Sequence, residues 1–283
     1  MPYFLALCAG FMAALGAAFQ DREVSAVDES QSKGWRLLWA SLKRPKWILG
    51  LVVMTAAPIF QYLALRVGNL TQVQPMLTCE LLFLLGIIIV THHDHPGQRE
   101  WLGSFGIVFG LALFLVAAHP HGGHTQLSIR WGIALGAGAA VVVGGFFLIS
   151  RIARGWIQAA LLGAAAATCF AYQAAMTQVI AGVKPIDIIV TPALYALAVG
   201  GLLGFVLFQH ALRAGHVAAS RASMVIVDPL LSVLIGVVAF GDIVRSEPGA
   251  IALEIAGLAI LMVGAQRLAT SPLLAEAPEL AAS

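Results

Sequence analysis

The sequence predicts an all-α fold, a polytopic membrane helix bundle of about nine transmembrane helices. Three observations predict it. Of 283 residues, 60% are apolar and only 11% are Asp, Glu, Lys or Arg, less than half the charged share of an ordinary soluble domain. The mean hydropathy is +0.90, too high for a surface that faces water all round. The apolar residues also gather into stretches of about 20, the length that crosses a hydrocarbon core.

The stretches fall in order along the chain. The first, 3–20, lacks a basic leader and a clear cleavage site, so it reads as a retained helix and not a signal peptide. The loop 21–46 carries both charge signs, and its part GWRLLWASLKRPK fits either a basic interfacial helix or a solvated loop. Spans at 47–66, 69–91, 101–118, 131–150, 156–181, 186–209, 216–241 and 249–267 follow. The tail 268–283 is rich in Ala, Pro and Glu and is expected to be disordered. Cys8, Cys79 and Cys169 all lie in apolar stretches without paired spacing, so they read as small core residues.

Lys and Arg set the orientation, because cytoplasmic loops carry the excess. With the N-terminus outside, eleven fall inside (Arg22, Lys33, Arg36, Lys43, Arg44, Lys46, Arg99, Arg151, Arg154, Arg213, Arg267) and four outside (Arg66, Arg130, Lys184, Arg245). Arg221 lies within a span. The expectation is a multi-pass plasma-membrane protein with its N-terminus outside and its C-terminus cytoplasmic.

The chain also repeats. A shift of 147 residues places Ala64-Leu65-Arg66-Val67-Gly68 on Ala211-Leu212-Arg213-Ala214-Gly215, Glu100 on Glu247, and Gly110-Leu111-Ala112 on Gly257-Leu258-Ala259. Residues 1–118 then form a first repeat of four spans and 156–267 a second, with the fifth span (119–155) linking them. Five spans separate equivalent positions, so the copies insert with opposite orientation. Inverted repeats are common in secondary transporters, with the binding site near the midplane where they meet.

The segments RPKWILGLVVMTAAPIFQYLALRVGNLTQVQPML and EWLGSFGIVFGLALFLVAA, with ALRAGHVAASRASMVIVDPLLSVLIGVVAFGD in the second half, resemble the drug/metabolite transporter superfamily. The nine-span layout and the RPKW start of the second span look like its NIPA-like branch, whose better-known members are linked to magnesium. EamA-like permeases of the same superfamily usually have ten helices and move metabolites or drugs outward. Two departures weigh against magnesium: Gln61 stands where that branch has Asn, and Val73-Gln74-Pro75-Met76-Leu77 stands where it has a VTPLG-like turn.

Of fourteen acidic residues, only Glu80, Asp228 and Glu254 lie within predicted spans. Ionisable groups there are costly and face a bundle interior or cavity. Glu80 and Asp228 sit near mid-depth, and the 147 shift puts Glu80 on Val227, next to Asp228. Glu254 is only about one turn from the outer boundary. Pro75 and Pro229 are expected to break their helices, freeing the carbonyls of Thr71 and Val225. Gln72, Met76 and Glu80 share one helical stripe, and Arg221 lies seven residues before Asp228 on the same face. Glu80, Asp228, Gln72, Gln61 and Arg221 are therefore the candidate substrate- or ion-binding residues. Simple interhelical hydrogen bonding is the plainer role for the amides, among them Gln20, Gln173 and Gln209, and for His210.

Two histidine groups remain, His92-His93-Asp94-His95 and His119, His121 and His124. The fourth span separates them, so they cannot form one site, and they read as loop residues. Gly136, Gly138, Gly144 and Gly145 are expected to mediate close helix packing. No P-loop, Rossmann glycine pattern, HExxH or nucleophile elbow occurs, so no enzyme activity and no cofactor are expected. The expected partners are the lipid bilayer and a small-molecule or cation substrate, with no nucleic acid; a homodimer is compatible with such a chain. The leading expectation is a secondary transporter that moves a small solute by alternating access, coupled to protons through Glu80 or Asp228. The alternatives are a divalent-cation transporter and a non-transporting scaffold or lipid-modifying protein.

Overall fold

The computed structural model of the chain describes residues 1–25, 45–92, 95–214 and 216–275. Over these, nine helical stretches are long and apolar enough to cross a membrane, so the fold is the all-α polytopic bundle that composition predicts. The helices are α1 (Pro2–Ser25), α2 (Pro45–Val67), α3 (Leu70–Leu77), α4 (Glu80–His92), α5 (Gln98–Ala118), α6 (Ile129–Ile152), α7 (Trp156–Ala181), α8 (Pro192–Arg213), α9 (Val217–Ala239), α10 (Pro248–Ala269) and α11 (Pro272–Ala275). Two two-residue strands, β1 (His121–Gly122) and β2 (Asp242–Ile243), pair antiparallel. The amphipathic stretch proposed within 21–46, together with His93 and Asp94, lies largely outside the described residues.

Helix ends follow local chemistry more closely than hydropathy. The seventh span starts at Pro192 and not at 186, because Pro185–Asp187 forms a 3-10 turn and Pro192 takes the first helical position, where a missing N–H costs nothing. The eighth span ends at Ala239 and not at 241: Phe240 caps it and Gly241 turns at φ 66° into β2. The start of the tail is also ordered. Leu268 and Ala269 complete α10, the buried Ser271 follows, and Arg99 at the start of α5 donates to the Arg267 carbonyl and the Thr270 hydroxyl.

The core is built on α7, the most buried span. Its run of buried alanines from Ala164 to Ala167, with Ala171, Ala174 and Ala175, lets α8 and α9 pack along it. α1 packs on α2 and on the α3/α4 pair, and α5 packs along α10. The first and second spans thus meet as the sixth and seventh do, and the first and third as the sixth and eighth. At the α5–α10 crossing there is no room for side chains: a Cβ on Gly110 would lie 2.3 Å from the Leu261 nitrogen, and one on Gly257 would lie 2.6 Å from the Phe114 nitrogen. The glycines expected to pack on α6 behave differently. Gly138, Gly144 and Gly145 face open space, and only Gly136 has a close neighbour, the Tyr172 hydroxyl. α6 lies at the edge against α7, with Ile133, Val141 and Leu148 exposed as they would be to lipid.

Candidate functional site

The third span is two helices. α3 is well started: Asn69 caps it, accepting from the Gln72 N–H at 3.0 Å, while Gln72 reaches back to the Asn69 N–H. This reciprocal pair satisfies donors that a helix start otherwise leaves open. Pro75 then removes one internal bond, and the chain tightens. Thr78 donates to the Pro75 carbonyl, Cys79 to Met76, Leu81 to Thr78 and Leu82 to Cys79, all three residues apart. The donors that a continuous helix would send to Gln74 and Leu77 go elsewhere, and α4 starts afresh at Glu80.

Glu80 therefore occupies the first turn of α4 inside a membrane span, where the Leu81, Leu82 and Phe83 N–H groups are taken up by the Thr78 and Cys79 carbonyls. Broken helices of this kind are tolerated at membrane depth only inside protein or along a wet cavity. α1 backs the break with Gly10, where a Cβ would come within 3.3 Å of the Glu80 nitrogen. From the other half of the chain, the Arg221 guanidinium of α9 is near enough to act electrostatically on the Glu80 carboxylate. α3 and α9 touch nearer one end, where a Cβ on Gly236 would lie 2.5 Å from the Thr71 hydroxyl. Asp228 is half-buried and accepts a 3.3 Å hydrogen bond from the Ser232 hydroxyl.

The other expected site residues are placed differently. Gln72 does not share a stripe with Glu80, because the break interrupts the helical spacing; its amide donates to the Pro120 carbonyl at the end of the bundle. Gln61 is half-buried on α2, which packs mainly on α1 and α7. Pro229 does not break its helix: α9 runs unbroken through it, since losing one internal bond is survivable when the next turns keep theirs. Glu254 is half-buried on α10 with Oε1 enclosed and unpartnered. His119 takes a left-handed conformation to end α5, and its carbonyl meets the His121 ring at 2.7 Å. Among the described residues no group of three or more His, Cys, Asp or Glu is arranged to hold a metal.

Sequence reasoning missed Asp242, which is 3% exposed. Its Oδ2 accepts from the Thr71 N–H at 3.0 Å and the Thr71 hydroxyl at 2.7 Å. Burial pushes its carboxyl above the usual range, against the opposing pull of Thr71 and His124. The signal was the Phe240-Gly241-Asp242 turn, in which glycine ends the span one residue before the acid.

No known family profile matches the chain, and no solved structure matches it. Over 213 residues it is 25% identical to an uncharacterized protein of Corynebacterium glutamicum, and the alignment covers 71% of each chain.

Proposed function

We propose that the chain is a secondary transporter of the drug/metabolite superfamily, moving a small solute by alternating access with Glu80 or Asp228 carrying the coupled proton. The observation that carries this reading is Glu80 at the start of α4, where the third span breaks at membrane depth. Discontinuous helices at a repeat interface are where such proteins bind their cargo.

The α5–α10 crossing supports the inverted repeat on which the reading depends. Under the 147 shift, Gly110 corresponds to Gly257 and Phe114 to Leu261. Gly110 meets Leu261, and Gly257 meets Phe114. Such reciprocal contact is the mark of a two-fold relation. A divalent cation is the weaker reading of the cargo, because Arg221 sets a positive charge beside the carboxylate that would have to hold it.

The test is uptake into proteoliposomes under an imposed proton gradient, comparing magnesium with a panel of amino acids and drugs. The reading expects gradient-driven flux of at least one organic solute, lost in Glu80→Gln or Asp228→Asn. If both variants leave every detected flux unchanged, the site is elsewhere.

A further inference from the structure

One end of the bundle is tied shut by three connections. After α2, the Asn69 amide donates to the Gly122 carbonyl at 3.4 Å and the Gln72 amide to Pro120. After α5, the His124 N–H donates to the Phe240 carbonyl at 2.9 Å, and β1 pairs with β2. After α9, the Arg245 N–H donates to the Ala118 carbonyl at 3.1 Å. At the centre is Asp242, which grips the first turn of α3 through Thr71. Its Oδ1 is buried and has no partner. Gly123, at φ 78°, leans on that oxygen so closely that a Cβ there would sit 2.2 Å from it. The segment Gly123 to Gln126 lines an open surface cavity.

We propose that the Asp242–Thr71 contact is the latch of the gate at this end, closed while Asp242 is protonated and released when it ionises. This rests on the transport reading above and adds the control of one of its two gates. An ionised Asp242 leaves a charged oxygen buried without a donor, which is expensive. Letting water in past Gly123 relieves that cost and parts the three connections. The groups facing Asp242 are Thr71 from α3, Gly236 from α9, and Gly123 and His124 from the loop, of which the His124 imidazole is titratable.

The sign follows from burial, which raises the carboxyl in the closed state. The closed state is favoured in full below the ordinary Asp range and loses that advantage as pH rises through the raised value. The carboxamide of Asp242→Asn mimics the neutral carboxyl and keeps an acceptor for Thr71, so it holds the latch shut. Asp242→Ala has no acceptor and leaves it open.

Cys79, buried one residue before Glu80, is a native reporter of the path below the gate. With Cys8 and Cys169 replaced by Ala, a membrane-impermeant maleimide is applied to proteoliposomes from the side of β1 and β2. Each labelling rate is divided by that of the denatured chain at the same pH. We expect wild-type labelling to rise about tenfold from a pH below the ordinary Asp range to one well above it, the factor set by the loss of hydrogen bonds to a charged group. We expect Asp242→Asn to label slowly at both pH values, and Asp242→Ala to label fast at both. If Asp242→Ala does not fold, Thr71→Val removes the hydroxyl donor and is expected to label fast at both. A pH-independent wild type, or Asp242→Asn labelling like the open variants, overturns the latch. Labelling of Cys79 from the opposite side alone, in every variant, overturns the gate and leaves the transport reading standing. Labelling from neither side in any variant overturns both.

Discussion

At the scale of single residues, a side chain's role here is decided by the backbone beside it. Gln72 and Glu80 are eight positions apart, and an unbroken helix would align them. The break at Thr78 and Cys79 separates them: one caps α3, the other opens α4. Asn69→Ala should cost about 1 kcal/mol, the usual worth of such a cap. The effect should appear as faster hydrogen exchange at the first amides of α3, with α4 unchanged; equal acceleration of both would mean the two segments open as one helix. Glu80 was legible in the sequence because a carboxylate inside an apolar run is conspicuous. Asp242 was not: a hydropathy window places it in the loop just past a span, where an acid is unremarkable. Such a window cannot see that a loop more than a hundred residues away in sequence would bury that acid.

At the scale of elements, the nine spans were legible because each must be long and apolar, and that requirement is written in composition. Their ends and their neighbours were less so. The glycines of α5, α6 and α10 look alike in the sequence, yet those of α5 and α10 allow two backbones to touch while most of those on α6 face outward. What separates them is which helix lies opposite, and no single-sequence pattern records that. Gly110→Leu or Gly257→Leu should force α5 and α10 apart and cost about 1–3 kcal/mol, as overpacking does. Either should lower the midpoint of thermal unfolding in detergent, while Gly138→Leu and Gly144→Leu should leave it unchanged. A loss at the α6 positions equal to that at Gly110 would mean that α6 packs against a surface beyond this chain. The two prolines differ for a related reason. Pro75 lies in the last turn of a short helix, where the following donors turn to nearer carbonyls. Pro229 lies in the middle of α9, where the turns on both sides stay bonded.

At the scale of the whole molecule, nine spans among the described residues predict termini on opposite sides. The eleven-to-four division of Lys and Arg then predicts a cytoplasmic C-terminus. A C-terminal fluorescent-protein fusion should glow in cells and a C-terminal alkaline phosphatase fusion should be inactive; the reverse pattern would invert the orientation and put the clasped end inside. The membrane class was readable from composition alone. The packing of the spans was readable only in part, since the repeat offset is in the sequence while the reciprocal Gly110–Leu261 and Gly257–Phe114 contacts required the folded chain. The proposed transport rests on proton carriage by Glu80, at the broken third span, or by Asp228. Its most direct test is proton-gradient-driven flux in proteoliposomes for Glu80→Gln and Asp228→Asn beside wild type, at equal reconstituted protein. Gradient-driven accumulation is expected to fall at least about tenfold in Glu80→Gln or in the matching Asp228→Asn, in line with losing one charged, hydrogen-bonding group, while the protein stays folded and monodisperse. Accumulation at the wild-type rate by both variants would contradict it.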